Sequence, residues 1–573
     1  MTRIFNDPAL FASEMLEGFI LANSHKVRGV TGGVVRSTRS ASNTVAVIVG
    51  GGAGHYPAFG GLVGPGLAHG AAMGNIFASP SAQQIYSVAM SANRGRGILL
   101  TYGNYAGDVL NFDSAQSRLT SEGIEVRTVV VSDDIASASP AEKNWRRGIA
   151  GGFAVYKVAG AASEAGYSLD DVAQVAGRAN ERTRSFGVAF TGCTLPGATA
   201  PLFTVPSGRI ALGMGIHGEP GIGEMEMPTA EVLAQVLVSR LLTELPQGVK
   251  SPQNGRVGLI LNGLGSVKYE ELFVLYRGVA KLLRDADITI VDPEVGEVAT
   301  SFEMAGVSLS LFWLDEELEK FWRAPADTPA FHKVSFVEID RDPIEKQAQN
   351  QVLSHEGSLQ SREASATAVR AFAAIASTID ECVAELGRLD AVAGDGDHGI
   401  GMQRGSHAAF AAAEQALLSG AGVRTTFERA GAAWSDHAGG TSGALWGAAL
   451  GALASVLSDS SAPEPVVLAD GIEKATSDIL RFGAAVGDKT MVDVLVPFSQ
   501  SFRASVANGN NLNIAWEEAA DVAARAAAAT SGMVAKVGRA RLHAKKSIGA
   551  PDAGAYSLAL ILVAVSAVLR ERS

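Results

Sequence analysis

The chain has 573 residues, 47% of them hydrophobic and 18% charged, an ordinary globular composition and too much length for a single core. Its formal net charge is −12 and its pI about 5.4. That field works against nucleic-acid and anionic-membrane binding, while a small phosphorylated ligand carrying its own metal stays compatible.

The acidic residues Asp7, Glu14 and Glu17 come too early for a signal peptide, and the two cysteines, Cys193 and Cys382, offer neither a disulfide framework nor a paired metal motif. A cytoplasmic protein is expected. Short β-branched runs at 44–50, 97–101, 127–132 and 257–262 each end in glycine or polar residues and lead into a helical pattern. This alternation predicts an α/β unit over residues 1–325, with parallel-type sheets, helices and ligands beyond the carboxyl ends of the strands. Pro325, Pro329 and Pro343, followed by a polar stretch, predict a linker over 326–362. Alanine-rich helical periodicity at 364–386, 408–418, 444–457 and 514–529 predicts an all-α unit over 363–573. The apolar run 553–569 holds Gly554, Tyr556 and two serines. It is short for a membrane span and reads as a buried closing helix.

Three loops of the first unit carry reactive residues. Gly50-Gly-Gly-Ala-Gly-His55-Tyr56-Pro57 allows close backbone approach to a ligand but lacks GxGxxG spacing, and alone it serves a structural turn as readily as a site. Asp108, beside a glycine after the strand at 97–101, suits a general base or a helix N-cap. His217 sits between glycines in Gly215-Ile-His-Gly-Glu-Pro-Gly221, where an imidazole could act as acid, base or nucleophile.

In the second half, Asp390, Asp395 and Asp397 fall within eight residues that contain no basic residue. A solvated acidic turn is one reading. Three like charges this close are otherwise relieved by a hard divalent cation, and Mg²⁺ held by carboxylates usually shares substrate phosphates. Gly439-Gly-Thr-Ser-Gly443 opens a helix, so Thr441 and Ser442 are phosphate candidates or plain caps.

Together with Gly74-Asn-Ile-Phe-Ala-Ser-Pro80, Asn104-Tyr-Ala-Gly-Asp108 and Gly192-Cys-Thr-Leu-Pro196, these motifs resemble the dihydroxyacetone kinase family in its single-chain form, over nearly the whole chain. The resemblance implies a substrate domain followed by a helical-barrel nucleotide domain, and a kinase acting on a terminal hydroxyl of a short-chain ketose. It makes His217 the covalent anchor, holding the ketone as a hemiaminal, Asp108 the base and His55 its partner, with Gly52, Ala53 and Gly54 also against substrate. Asp390, Asp395 and Asp397 would hold two Mg²⁺ ions. ATP would lie against His398, Gly399, Ile400, Gly401, Thr441, Ser442, Thr490, Met491, Arg539, Asp552, Ala553 and Gly554. Single-chain relatives use ATP directly and place the helical domain over a dimer partner's substrate domain, so a homodimer is expected.

Two departures bear on specificity. Tyr56 replaces a usual glutamate, and Gly103 replaces a usual lysine that touches substrate. They imply a pocket reshaped for a larger ketose, such as the four-carbon erythrulose. The competing readings are a ketose-binding sensor without kinase activity and a side activity as an FAD-cyclising lyase.

Overall fold

The computed structural model describes residues 4–334 apart from 39, 41 and 42, residues 356–537 apart from 393 and 395, and residues 546–571. The chain divides into two compact units, Met1–Asp342 and Pro343–Ser573.

The first unit is built on two six-stranded sheets. In the first, every residue of Ala46–Gly52 is buried, so this strand can only be central. The strand order is Val27–Val30, Gly33–Arg36, Gly70–Gly74, Ala46–Gly52, Ile98–Gly103, Val126–Val131. The last four strands run parallel and the first two pair antiparallel. Helices Ala82–Ala92 and Ala106–Ser121 cover one face through Ile85, Val88, Phe112 and Leu119. The helix Gly152–Glu164 covers the other, buried along all but its last residue and apolar nearly all round.

The second sheet runs Ile288–Gly296, Gly255–Gly263, Gly306–Trp313, Thr183–Ala189, Arg209–Leu212, Gly223–Glu226. Here the expectation of parallel pairing holds only for the first two strands; the other neighbours are antiparallel. Antiparallel neighbours need no crossover helix, and the loop 213–222 between the last two strands contains none. Helix Tyr269–Asp285 turns Leu272, Leu275, Val279 and Leu283 onto this sheet at helical spacing. A two-stranded sheet, Ala326–Asp327 with His332–Lys333, falls inside the segment read as a linker, and residues 335–355 lie outside the described residues.

The second unit contains eight described helices and no described strand. Each packs on its chain neighbour, and the last, Ala553–Arg570, packs on the first, Leu359–Asp390, closing a ring. Its core mixes large side chains such as Trp434, Phe498 and Phe502 with alanines that let helices approach closely. The apolar helix Ala553–Arg570 is long enough to cross a membrane, yet it buries Leu558, Ile561 and Leu562 in this core.

Gly160 tests the packing of the first unit, because a Cβ there would lie 2.3 Å from the Leu67 carbonyl oxygen. Gly160→Ala should lower the unfolding free energy by about 1–3 kcal/mol, the usual range for overpacking, read by chemical denaturation.

Candidate functional site

The carboxyl end of the strand Ala46–Gly52 turns through Ala53–His55 and delivers His55, which is 2% exposed. Its Nδ1–H donates to the Thr300 carbonyl oxygen at 2.7 Å. A carbonyl only accepts, so this bond fixes the tautomer and leaves Nε2 as an acceptor. His55 Nε2 lies 2.9 Å from His217 Nε2, and His217 Nδ1 lies 3.0 Å from Glu219 Oε1. A carboxylate also accepts. All three bonds are satisfied together only with a proton on each nitrogen of His217.

Glu219 holds His217 twice, since its other oxygen accepts from the His217 backbone N–H at 3.0 Å. Arg147 lies 3.6 Å from Glu219 and 3.0 Å from the buried Asp134. Burial pushes the Glu219 carboxyl up, but His217, a backbone N–H and Arg147 outweigh it and hold it at about 2. Burial, reinforced by His217, lowers His55 to about 3. Tyr105 packs edge-on against the His217 ring with centroids 4.6 Å apart, and its hydroxyl donates to the Gly148 carbonyl at 3.0 Å.

Asp108 stands in the first turn of helix Ala106–Ser121 and lines the same pocket as both histidines. Its Oδ1 is buried without a hydrogen-bond partner among the described residues. Burial raises its carboxyl to about 6, against the opposing pull of the Ser79 hydroxyl and His217. The pocket encloses about 500 Å³ including its mouth.

Gly52 lines this pocket, whereas Ala53 and Gly54 face a separate groove bordered by Phe11, Phe19 and Phe302. Tyr56 belongs to that groove too, half-exposed and packed edge-on against Phe19 at 6.0 Å. Of the two sequence departures, only Gly103 reaches the pocket lined by His55, Asp108 and His217. A Cβ at Gly103 would lie 3.0 Å from the Tyr105 ring and press it toward His217. Sequence reasoning missed Glu219 and Arg147 as partners of His217; the glutamate two residues beyond the histidine was the available signal.

A second cleft, about 2090 Å³ including its mouth, lies within the helical unit. It gathers Asp390, Asp397, His398, Ile400, Gly401, Thr441, Ser442, Thr490, Met491, Asp552, Ala553 and Gly554. Gly439 and Gly440 both take positive φ (62° and 56°), with open space where a Cβ would point. These glycines therefore present bare backbone at the start of helix Gly440–Val456, a ready anion site. His398 bridges two helix starts, its Nε2 2.9 Å from Ser557 Oγ and its Nδ1 3.4 Å from Ser442 Oγ. Lys489, unremarked in the sequence reading, also lines the cleft and donates to the carbonyls of Met533, Ser547 and Ala550.

Gly399 does not line the cleft. A Cβ there would sit 2.2 Å from the Val383 carbonyl oxygen, so this glycine serves close helix packing. Asp395 and Arg539 lie outside the described residues. Among the described residues no group of three acidic, histidine or cysteine side chains converges on a metal position. Asp390 and Asp397 supply oxygen donors only. Asp390 engages one oxygen with the Gly396 N–H at 2.8 Å, and among the described residues no hydrogen bond is seen to the other, an oxygen donor of the kind a hard cation such as Mg²⁺ takes.

The comparisons with known proteins divide the chain into the same two parts. The Dak1 domain matches residues 17–330 and the DAK2 domain matches residues 392–567. The chain is 56% identical to the L-erythrulose kinase of Pectobacterium atrosepticum, over 99% of this chain and 97% of that protein. It is 52% identical to the D-erythrulose kinase of Mycolicibacterium smegmatis, over 98% of this chain and 97% of that protein. Among solved structures it is similar to the dihydroxyacetone kinase from C. freundii in complex with AMP-PNP and Mg²⁺, with a TM-score of 0.59, 28% identity and 99% of both chains covered. The chain belongs to the dihydroxyacetone kinase family.

The depressed His55 imidazole gives a direct check. Its ring resonances should stay those of a neutral imidazole across roughly pH 5 to 8 in an NMR titration. Movement through the ordinary histidine range would contradict the Thr300-fixed tautomer.

Proposed function

We propose that the chain is an ATP-dependent ketose kinase that phosphorylates a terminal hydroxyl of a short-chain ketose, with a four-carbon ketose such as erythrulose as its preferred acceptor. The observation that carries this reading is the pairing, in one small pocket, of a tethered imidazole with a carboxylate poised at about 6. An imidazole nitrogen adds to ketones and not to polyols, a distinction that shape alone makes poorly.

As the ketone enters, the His217 Nε2 proton passes to His55 Nε2, and the freed lone pair attacks the carbonyl carbon. A nitrogen–carbon bond forms, the carbonyl π pair moves to oxygen, and that oxygen takes the proton from His55 to become the hemiaminal hydroxyl. Glu219 keeps the Nδ1 proton in place and balances the positive ring. The ketose is thereby fixed for in-line attack, the positioning that phosphoryl transfer chiefly needs. Asp108 then removes the proton from the terminal hydroxyl as that oxygen bonds to the terminal phosphorus and ADP leaves.

The cleft of the helical unit would take ATP, with phosphates against the Gly439–Ser442 backbone and hydroxyls. Mg²⁺ would be held by Asp390 and Asp397, with Asp395 and a second ion carried over from the family resemblance. When bound, the metal neutralises phosphate charge. Arg539 would join the nucleotide pocket on the same resemblance. The relatives named for erythrulose support the four-carbon acceptor, and Gly103 at the pocket wall is compatible with it. We infer a homodimer and a cytoplasmic location as parts of the same reading. A sensor without kinase activity is disfavoured, because it has no use for the glycine-opened, carboxylate-lined cleft.

Initial rates with ATP, Mg²⁺ and a panel of dihydroxyacetone and both erythrulose enantiomers test the reading. An erythrulose should give the highest kcat/KM; turnover of no ketose would support the sensor, and a dihydroxyacetone optimum would overturn the acceptor preference. Because Asp108 must be ionised, kcat/KM should fall about tenfold per pH unit below its value of about 6. Asp108→Asn should remove that limb and lower kcat by roughly 10²–10⁴-fold.

The dimer has its own test in mixed inactive variants. His217→Ala and Asp397→Asn chains, each inactive alone, should regain activity when unfolded and refolded together if each pocket is served by the partner's helical unit. No regained activity would place both functions in one chain.

A further inference from the structure

The side-chain polar groups lining the ketose pocket are His55, Tyr105, Asp108, Tyr156 and His217. Four have their roles accounted for. His55 and His217 bond to each other and to Thr300 and Glu219, Tyr105 donates to Gly148, and the open Asp108 oxygen faces the reacting hydroxyl.

Tyr156 is different. It belongs to the apolar helix Gly152–Glu164 and is only 4% exposed, yet its hydroxyl bonds to no described residue. A hydroxyl that lines a pocket without a protein partner is free to bond to what enters it. Its surroundings sharpen the point: the ring lies 6.2 Å from that of Phe59, and Leu62 and Phe153 complete an apolar wall. The hydroxyl lies 3.0 Å from where a Gly152 Cβ would stand, so the glycine leaves the phenol room at the start of the helix. One donor in an otherwise apolar wall recognises one hydroxyl.

We infer that Tyr156 is a specificity-determining residue whose phenol donates to the hydroxyl that a four-carbon ketose carries beyond a three-carbon one. The carbonyl carbon is fixed by His217 and one terminal hydroxyl by Asp108. Any extra carbon brings one further hydroxyl into the pocket, where Tyr156 is the remaining unpaired side chain. This inference rests on the ketose-kinase reading above and names a determinant of its acceptor.

The experiment compares Tyr156→Phe with the unaltered chain on the preferred erythrulose enantiomer and on dihydroxyacetone. The ratio of kcat/KM for erythrulose over dihydroxyacetone should fall roughly tenfold, mainly through KM, as expected for a hydrogen bond made equally in ground and transition states. An unchanged ratio, with both substrates falling together or neither falling, overturns the inference. Failure of the unaltered chain to phosphorylate any ketose would instead overturn the kinase reading. If Tyr156→Phe does not fold by circular dichroism, Tyr156→His carries the test, because it retains a donor and should keep the ratio within about threefold. A tenfold fall in that variant would overturn the inference equally.

Discussion

Two imidazoles 2.9 Å apart can share a hydrogen bond only if one of them accepts, and the Thr300 carbonyl decides which. By binding the Nδ1 proton of His55, that carbonyl turns the facing nitrogen into an acceptor and directs the bond from His217. Glu219 completes the line, and Arg147 and Asp134 steady Glu219 from behind. The order of charges then follows: neutral His55, cationic His217, anionic Glu219, cationic Arg147, anionic Asp134. Burial keeps His55 neutral and raises Asp134 to about 6, while His217 and Arg147 outweigh burial at Glu219 and hold it ionised.

The line draws on both sheets of the first unit. His55 follows a parallel strand of the first sheet, while His217 and Glu219 occupy the loop between two antiparallel strands of the second. Thr300 comes from the segment after the strand Ile288–Gly296. Neither sheet alone could assemble the pocket. The helical unit solves its problem by other means: its anion site is made of backbone that two left-handed glycines leave uncovered, with the neighbouring Ser442 hydroxyl in reach of His398. One pocket depends on titratable side chains, the other mostly on exposed amides.

How much of this was legible in the sequence follows the physics of each element. Strands buried on both faces announce themselves as continuous β-branched runs, and Ala46–Gly52 and Gly255–Gly263 were readable for that reason. Short antiparallel strands such as Arg209–Leu212 and Gly223–Glu226 carry no such signal, and the exposed Gly223–Glu226 is mostly polar. His217, Asp108 and the glycine loops stood out because reactive residues lay among glycines. Glu219 was visible as a letter but not as a partner, since its hydrogen bond exists only once the loop folds back. Tyr56 misled: its place beside His55 suggested the pocket, but alternate residues of a tight turn face opposite ways. Tyr156 was hidden inside an apolar helix, where a tyrosine reads as core.

The ring of helices carries a consequence for synthesis. Because Ala553–Arg570 packs against Leu359–Asp390, the first helix of this unit leaves the ribosome with the apolar stripe meant for its last partner uncovered. Nearly two hundred residues must follow before that seam can close. The sheet-bearing unit, complete some twenty residues before the ring begins, folds on its own contacts first. The nascent ring is the more exposed to aggregation and to chaperone capture, so truncations before residue 553 should be cleared by proteases, not accumulate as partial enzymes.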